Sequence, residues 1–250
     1  MMKWIINGAS GRMGQALQQL MGEGFRDTQA AALVDPRLPT DLDACSFSRL
    51  RDFTGEADGI IDFTNHSVTG ELMDYAVSRH LPVVVATTGH TEEELAYIRE
   101  CAREIPVFLS ANMSLGIAFL AETARKAAEM FPDAEVEIVE AHHDKKLDVP
   151  SGTALMLAES VREARPGAPF VVGRHMQGLR SREEIGIHSL RMGNVVGQHE
   201  VIIATGSQII TLKHEAQSRT LFAEGALSAA CFLVGKKAGL YTMRDLVNGD

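Results

Sequence analysis

Short apolar runs alternate with longer amphipathic stretches over the first half of the chain. "KWIING" (3–8), "AAALVD" (30–35), "GIIDF" (59–63), "PVVVATT" (82–88) and "PVFLSA" (106–111) predict strands. Residues 11–21, "SVTGELMDYAVSRH" (67–80) and "TEEELAYIRECARE" (91–104) carry helical spacing between them. The last of these opens with Thr91 and has Glu94 three positions on, the spacing of a capping box. Continuous apolar strands alternating with helices predict a doubly wound parallel sheet.

Near residue 113 the rhythm changes. "SLGIAFLAETARKAAEMF" (114–131) predicts a long helix, "AEVEIVEAHH" (134–143) an alternating strand, and "GTALMLAESVREAR" (152–165) another helix. The stretch 185–216 then shows strand-like runs broken by Gly-Asn, Gly-Gln and Gly-Ser, which reads as sheet with short antiparallel turns. A final Ala- and Leu-rich helix is expected from Arg219 to about Gly239. The fold class expected is therefore α/β: a Rossmann-like doubly wound parallel sheet, plus a smaller α+β domain with a mixed or antiparallel sheet. Residues 114–218 would form that smaller domain, inserted between 1–113 and 219–250.

Composition narrows the partners. The formal net charge of −9 opposes a nucleic-acid or anionic-membrane surface, because both need a basic face. It leaves room for a local basic pocket. Three cysteines, Cys45, Cys101 and Cys231, are far apart and form no C-x-x-C, which suits a reducing compartment and gives no zinc signature. The opening "MMKWIINGASGRMG" has too short an apolar run for a signal peptide, and no stretch is long enough for a membrane span. A cytoplasmic protein is expected.

Two motifs carry chemistry. "NGASGRMG" (7–14) follows the first strand and opens a helix, with Gly8, Gly11 and Gly14 in G-x-x-G-x-x-G. Glycines there permit a tight turn and bring backbone amides to a pyrophosphate at the positive end of a helix. Ser10 stands where the commoner pattern has glycine. Arg12 is placed either to reach a phosphate or to face water. Asp35, about 20 residues beyond the last glycine, can accept from an adenosine ribose, which suits NADH; Arg37 can meet a 2′-phosphate, which suits NADPH. Later strand ends bear "DFTN" (62–65), "ATTGH" (86–90) and "SANMS" (110–114), small polar residues where such sheets bind ligands.

The second motif is "EAHHDKKLDVPSGTA" (140–154). His142 and His143 leave a strand pointing to opposite faces and cannot readily chelate one ion, so no metal is expected. Asp144 and Lys145 are read as solvated. Ser151 can cap a helix starting at Gly152, leaving the amides of Gly152 and Thr153 at its positive end as a carboxylate or phosphate site. Lys146 and one histidine can close on the same anion, while the other histidine moves a proton. Those parts describe a pocket that binds an acidic small molecule and protonates it.

Residues 140–154 match E-x-H-H-x-x-K-x-D-x-P-S-G-T-A throughout, and "GASGRMG", "DFT", "TTG", "AN-M-S-x-G" and "SR-x-x-F-x-x-G" (218–225) follow the same order. In this the chain resembles the dihydrodipicolinate reductase family over nearly its whole length. The resemblance implies hydride transfer from NADH or NADPH to a cyclic, unsaturated dicarboxylate, giving tetrahydrodipicolinate on the diaminopimelate–lysine route. It implies His142 as general acid and Lys146 as a second candidate proton donor. His143, Ser151, Gly152 and Thr153 would hold a substrate carboxylate. Gly8, Ala9, Ser10, Gly11, Arg12 and Met13 would line the cofactor with Ala86, Thr87, Thr88, Ser110, Ala111, Asn112 and Met113. A homotetramer assembled through the second sheet is a further implication. Ala86, His90 and Met113 depart from the family's usual Gly, Phe and aromatic, and the family's acidic position falls on Val34, one before Asp35. Two rivals are another reductase of amino-acid metabolism and a non-catalytic NAD(P)-sensing regulator. The first, if an aspartate-semialdehyde dehydrogenase, needs a nucleophilic cysteine in a better setting; the second has no use for a proton donor beside an anion site.

Overall fold

The computed structural model describes residues 1–41 and 45–249. Along the chain run β1 (Met2–Asn7), α1 (Arg12–Gly22), β2 (Thr28–Val34), β3 (Ser46–Phe47), β4 (Gly59–Asp62), α2 (Thr69–Arg79), β5 (Val83–Val85), α3 (Glu92–Cys101) and β6 (Pro106–Leu109). Then come α4 (Leu115–Met130), β7 (Glu135–His142), α5 (Gly152–Ala164), β8 (Phe170–Val172), β9 (Ile185–Arg191), β10 (Gly197–Ala204) and β11 (Ile209–Ala216). The chain ends with α6 (Thr220–Leu233), β12 (Gly239–Tyr241) and α7 (Met243–Asn248). Contacts divide it into two units, Met1–Ser114 with Thr220–Asp250, and Leu115–Arg219.

The first unit holds a seven-stranded sheet in the order β12-β6-β5-β4-β1-β2-β3, parallel at every pairing. Alternation sends Ile5, Ile60, Val83, Val85 and Val107 into one apolar cluster with Leu72, Met73 and Ala76 of α2 and Ile98 of α3. Their neighbours Trp4, Ile6, Ile61, Val84 and Phe108 are as fully buried, and α6 packs on β4, β5, β6 and α1. Burial on both faces is why these strands read as unbroken apolar runs. Thr91 and Glu94 form the capping box that starts α3.

The expected last helix is shorter than its sequence suggests. α6 stops at Leu233, Gly235 follows in the left-handed region, and the chain returns as β12, parallel to β6. A positive φ costs glycine nothing and ends the helix there.

The second unit holds a five-stranded mixed sheet in the order β11-β10-β7-β9-β8. β10 is antiparallel to β7 and β11, whereas β7 and β8 are both parallel to β9. One face packs Val136, Ile138, Ile185, Ile187, Val201 and Ile203 against α4 and α5. That same alternation carries Glu140 and His142, further along β7, onto the covered face.

Candidate active site

In the first unit the chain turns at Gly8, whose φ is +89° and whose amide donates to the Val34 carbonyl. A Cβ on Gly14 would lie 2.3 Å from the Gly8 carbonyl oxygen and 2.6 Å from Ala9 Cα, so only glycine lets α1 begin against this loop. Gly11, at the cap of α1, brings no side-chain acceptor to the helix start. Beside the loop is a cavity of about 690 Å³, lined by Gly8, Gly11, Asp35, Arg37 and Thr64 among others. A bare helix start, glycines that a side chain would obstruct and an adjoining cavity fit a dinucleotide.

Asp35 and Arg37 are joined. The Arg37 Nε and Nη2 donate to the Asp35 carboxylate at 2.9 and 3.0 Å, and the amides of Arg37 and Ser10 donate to it as well. The guanidinium holds this carboxyl far below the ordinary carboxylate range, against the opposing effect of burial. The two residues that sequence reasoning set against each other thus form one cavity wall.

Thr87 turns inward. Its hydroxyl donates to buried Asp62 at 2.6 Å and accepts from the Thr64 amide at 2.9 Å. Asn7 and Thr64 complete the set of donors around Asp62, at 2.7 and 2.8 Å. Burial raises the Asp62 carboxyl while these three side chains oppose the rise. Asp62 therefore ties together the ends of β1, β4 and β5, a role its sequence position did not reveal. Ala86 and Met113 are buried, whereas Arg12, Thr88 and Ala111 are exposed. Ser110 donates to the Asn112 carbonyl and receives its amide, folding 110–113 into a compact turn.

In the second unit, His142 ends β7 and is 8 % exposed. Its Nδ1 lies 2.5 Å from Glu140, which has no exposed surface and which Arg191 grips with two hydrogen bonds of 2.9 Å. The Ser151 amide donates to the same carboxylate at 3.2 Å. Burial pushes the Glu140 carboxyl up, but Arg191, Ser189, His142 and Ser151 prevail and hold it at about 2. Burial pushes His142 down, opposed by Glu140. His199, buried across the sheet, meets the His142 ring edge-on at 5.1 Å, and its Nε2 faces the Ser151 hydroxyl at 3.3 Å. Burial holds His199 at about 4, so it is neutral near pH 7.

Ser151 caps α5 by accepting from the Ala154 amide at 3.2 Å. Gly152 is exposed and His143 and Thr153 are half-buried. Lys146 Nζ pairs with Asp148 at 2.8 Å. That carboxylate is lowered by Lys146 first and, in smaller part, by the Gly152 N–H. An internal carboxylate thus uses two of the groups that the sequence assigned to an incoming one, Lys146 and the Gly152 N–H.

Sequence reasoning brought together His142, His143, Lys146 and the Ser151–Thr153 turn, and missed Glu140, Arg191 and His199. Glu140 had a local signal: two residues from His142 on a strand means the same face. Arg191 and His199 had none, since only pairing of β9 and β10 with β7 delivers them. Among the described residues no group of three or more His, Cys, Asp or Glu could hold a metal ion.

The two halves match one family in order. Residues 2–113 match the N-terminus of dihydrodipicolinate reductase and residues 116–247 its C-terminus. The 4-hydroxy-tetrahydrodipicolinate reductase of Caldanaerobacter subterraneus subsp. tengcongensis is 44% identical over 249 residues, 99% of this chain and 98% of that one. That of Clostridium tetani is 37% identical over 250 residues, with the same coverage. A dipicolinate-bound dihydrodipicolinate reductase from Paenisporosarcina sp. TG-14 superposes with a TM-score of 0.83 at 26% identity, covering 97% of each chain. With similarity running from end to end and through both halves, the chain belongs to the dihydrodipicolinate reductase family.

Proposed function

We propose that the chain catalyses the reaction for which its relatives are named, reduction of 4-hydroxy-tetrahydrodipicolinate to tetrahydrodipicolinate with NADH or NADPH. The observation that carries this reading is a proton donor, His142, whose Glu140 partner also receives the first amide of the turn that starts α5. A cyclic dicarboxylate needs both a carboxylate site and a proton source.

The first unit would hold the nucleotide, with the glycine loop at its phosphates and the Asp35–Arg37 pair at the adenosine ribose. Ala86 to Thr88 and Ser110 to Met113 would line the remainder. When bound, the nucleotide supplies the hydride. In the second unit His143, Gly152 and Thr153 would take a substrate carboxylate, and Lys146 would leave Asp148 to join them. A dianion arriving beside His142 favours the protonated ring, offsetting the effect of burial just when the proton is wanted. His142 is the proton donor in this reading, and Lys146 steadies the anion.

The sheet face away from α4 and α5 carries Leu190 and Ile209, 49% and 71% exposed, which supports assembly of a homotetramer through that face. No helix among the described residues is long and apolar enough to cross a membrane, and a cytoplasmic location fits a nucleotide-dependent biosynthetic step.

The test supplies freshly generated 4-hydroxy-tetrahydrodipicolinate from its synthase and follows NADH and NADPH oxidation separately. Oxidation of at least one is expected; folded protein that oxidises neither refutes the activity. His142→Ala should lower kcat by roughly 100-fold or more with cofactor Kd unchanged. Equal loss of both would make His142 structural.

A further inference from the structure

We propose that Glu140 is the positioning residue for His142, fixing the hydrogen on Nδ1 so that only Nε2 exchanges a proton with the substrate. The inference deepens the reductase reading and rests on it for what the proton does, but not for where the hydrogen sits.

An ionised carboxylate only accepts hydrogen bonds. Glu140 is ionised despite complete burial because Arg191 grips both its oxygens, Nη1 to Oε2 and Nη2 to Oε1, while the Ser151 N–H meets Oε1. Its Oε2 also lies 2.5 Å from His142 Nδ1. That nitrogen must then be the donor, in the neutral ring and in the protonated ring alike. A neutral ring held this way keeps its lone pair on Nε2, and a charged ring can release a proton only from Nε2.

The surroundings of Nε2 agree. A Cβ at position 197 would crowd it at 3.1 Å, and glycine there avoids that contact. The groups facing the ring are Glu140 on its own strand, Arg191 from β9, His199 from β10 and Lys146 from the loop after β7. Glu140 is the single anion among them. Without it the ring would face two cations, and its charged form would be disfavoured.

Two measurements test this. In protein labelled with ¹⁵N-histidine, long-range ¹H–¹⁵N spectra report the tautomer of each ring, with His142 assigned by the signal lost in His142→Gln. Neutral His142 is expected with hydrogen on Nδ1; hydrogen on Nε2 overturns the proposal whether or not any variant folds. In turnover assays, Glu140→Gln should lower kcat by roughly 100-fold while KM stays within about threefold. The pH above which kcat/KM declines should move down by about one unit, since the acid form is lost sooner. Glu140→Asp should restore part of that shift. A folded Glu140→Gln whose decline stays at the original pH overturns the role. Unmodified protein without turnover would sink the reductase reading instead, leaving the spectra to decide the tautomer.

Discussion

Arg191→Met isolates the charge that keeps Glu140 ionised. Methionine matches the length of the arginine stem but carries no cation, so the Glu140 carboxylate keeps Ser189, His142 and the Ser151 amide but no guanidinium. In the intact protein the carboxyl falls from an ordinary 4.5 to about 2. By linkage a shift of that size is worth about 3 kcal/mol of stability near neutral pH. Removing one member of a buried ion pair costs about 3–5 kcal/mol, because the survivor is left charged in an apolar setting. The two figures agree on a loss of about 3 kcal/mol for the second unit.

The pH dependence distinguishes this from simple loss of packing. A depressed carboxyl contributes stability that is complete above 4.5 and disappears as pH falls toward 2. In the variant, burial is opposed by hydrogen bonds alone and no longer by the guanidinium, which should lift the folded value above the unfolded one, so that protonation favours the folded state. Its stability then recovers as pH falls through the raised value, and the gap to the intact protein is widest near pH 7 and narrower near pH 5. The single tryptophan, Trp4, lies in β1 of the other unit and does not report on this site. Hydrogen exchange of peptides covering β7 and β9 does. The variant should exchange about 100-fold faster there near pH 7, with a smaller ratio near pH 5 after correction for intrinsic rates. An acceleration below about threefold, or the same ratio at both pH values, refutes the reasoning.

Two further predictions concern the first unit. Gly14→Ala forces its Cβ onto backbone atoms of Gly8 and Ala9, and should weaken binding of NADH and NADPH alike in calorimetry, at least roughly tenfold. Gly22→Ala, at the other end of α1 with nothing within 4 Å, is the control; matched affinity in both variants would contradict the role of the loop. Thr87→Val removes a hydroxyl from Asp62 and an acceptor from the Thr64 amide, and should cost about 1–3 kcal/mol. Trp4 fluorescence during thermal unfolding is the right probe here. An unchanged midpoint would show that Asp62 does not need this donor, and Thr87→Ser should retain the midpoint.

The parallel sheet was legible because each strand is buried on both faces and reads as an apolar run between helices. Thr91 and Glu94 announced α3 through a purely local device. β12 had no such signal: its three residues owe their conformation to β6, more than 100 residues earlier, and the Ala-rich α6 hid its own end. The parallel pairing of β9 with β7 was hidden too, since the Gly-Asn turn from β9 to β10 suggests a hairpin, whereas β7 lies between those two strands in the sheet. Pairing partners distant in sequence leave no mark on local composition.

The site divides along the same line. His142, Lys146 and Ser151 stood out because a short stretch rarely gathers so many polar groups without use. The cluster, however, was read forward from His142 to Lys146 and Ser151, whereas a strand puts every second residue on one face and so leads back from His142 as well. Glu140 was the partner in view. Arg191 lies 51 residues beyond Glu140 and enters through β9, as His199 enters through β10. What the sheet adds is therefore the control of charge: His142 was visible locally, and the group that keeps Glu140 ionised was not. One carboxylate receives the His142 ring, the start of α5 and the neighbouring strand. Neutralising it would release the ring from the charge that orients it, so substitutions at Glu140 and Arg191 should fail to add in kcat, each removing the same ionised acceptor.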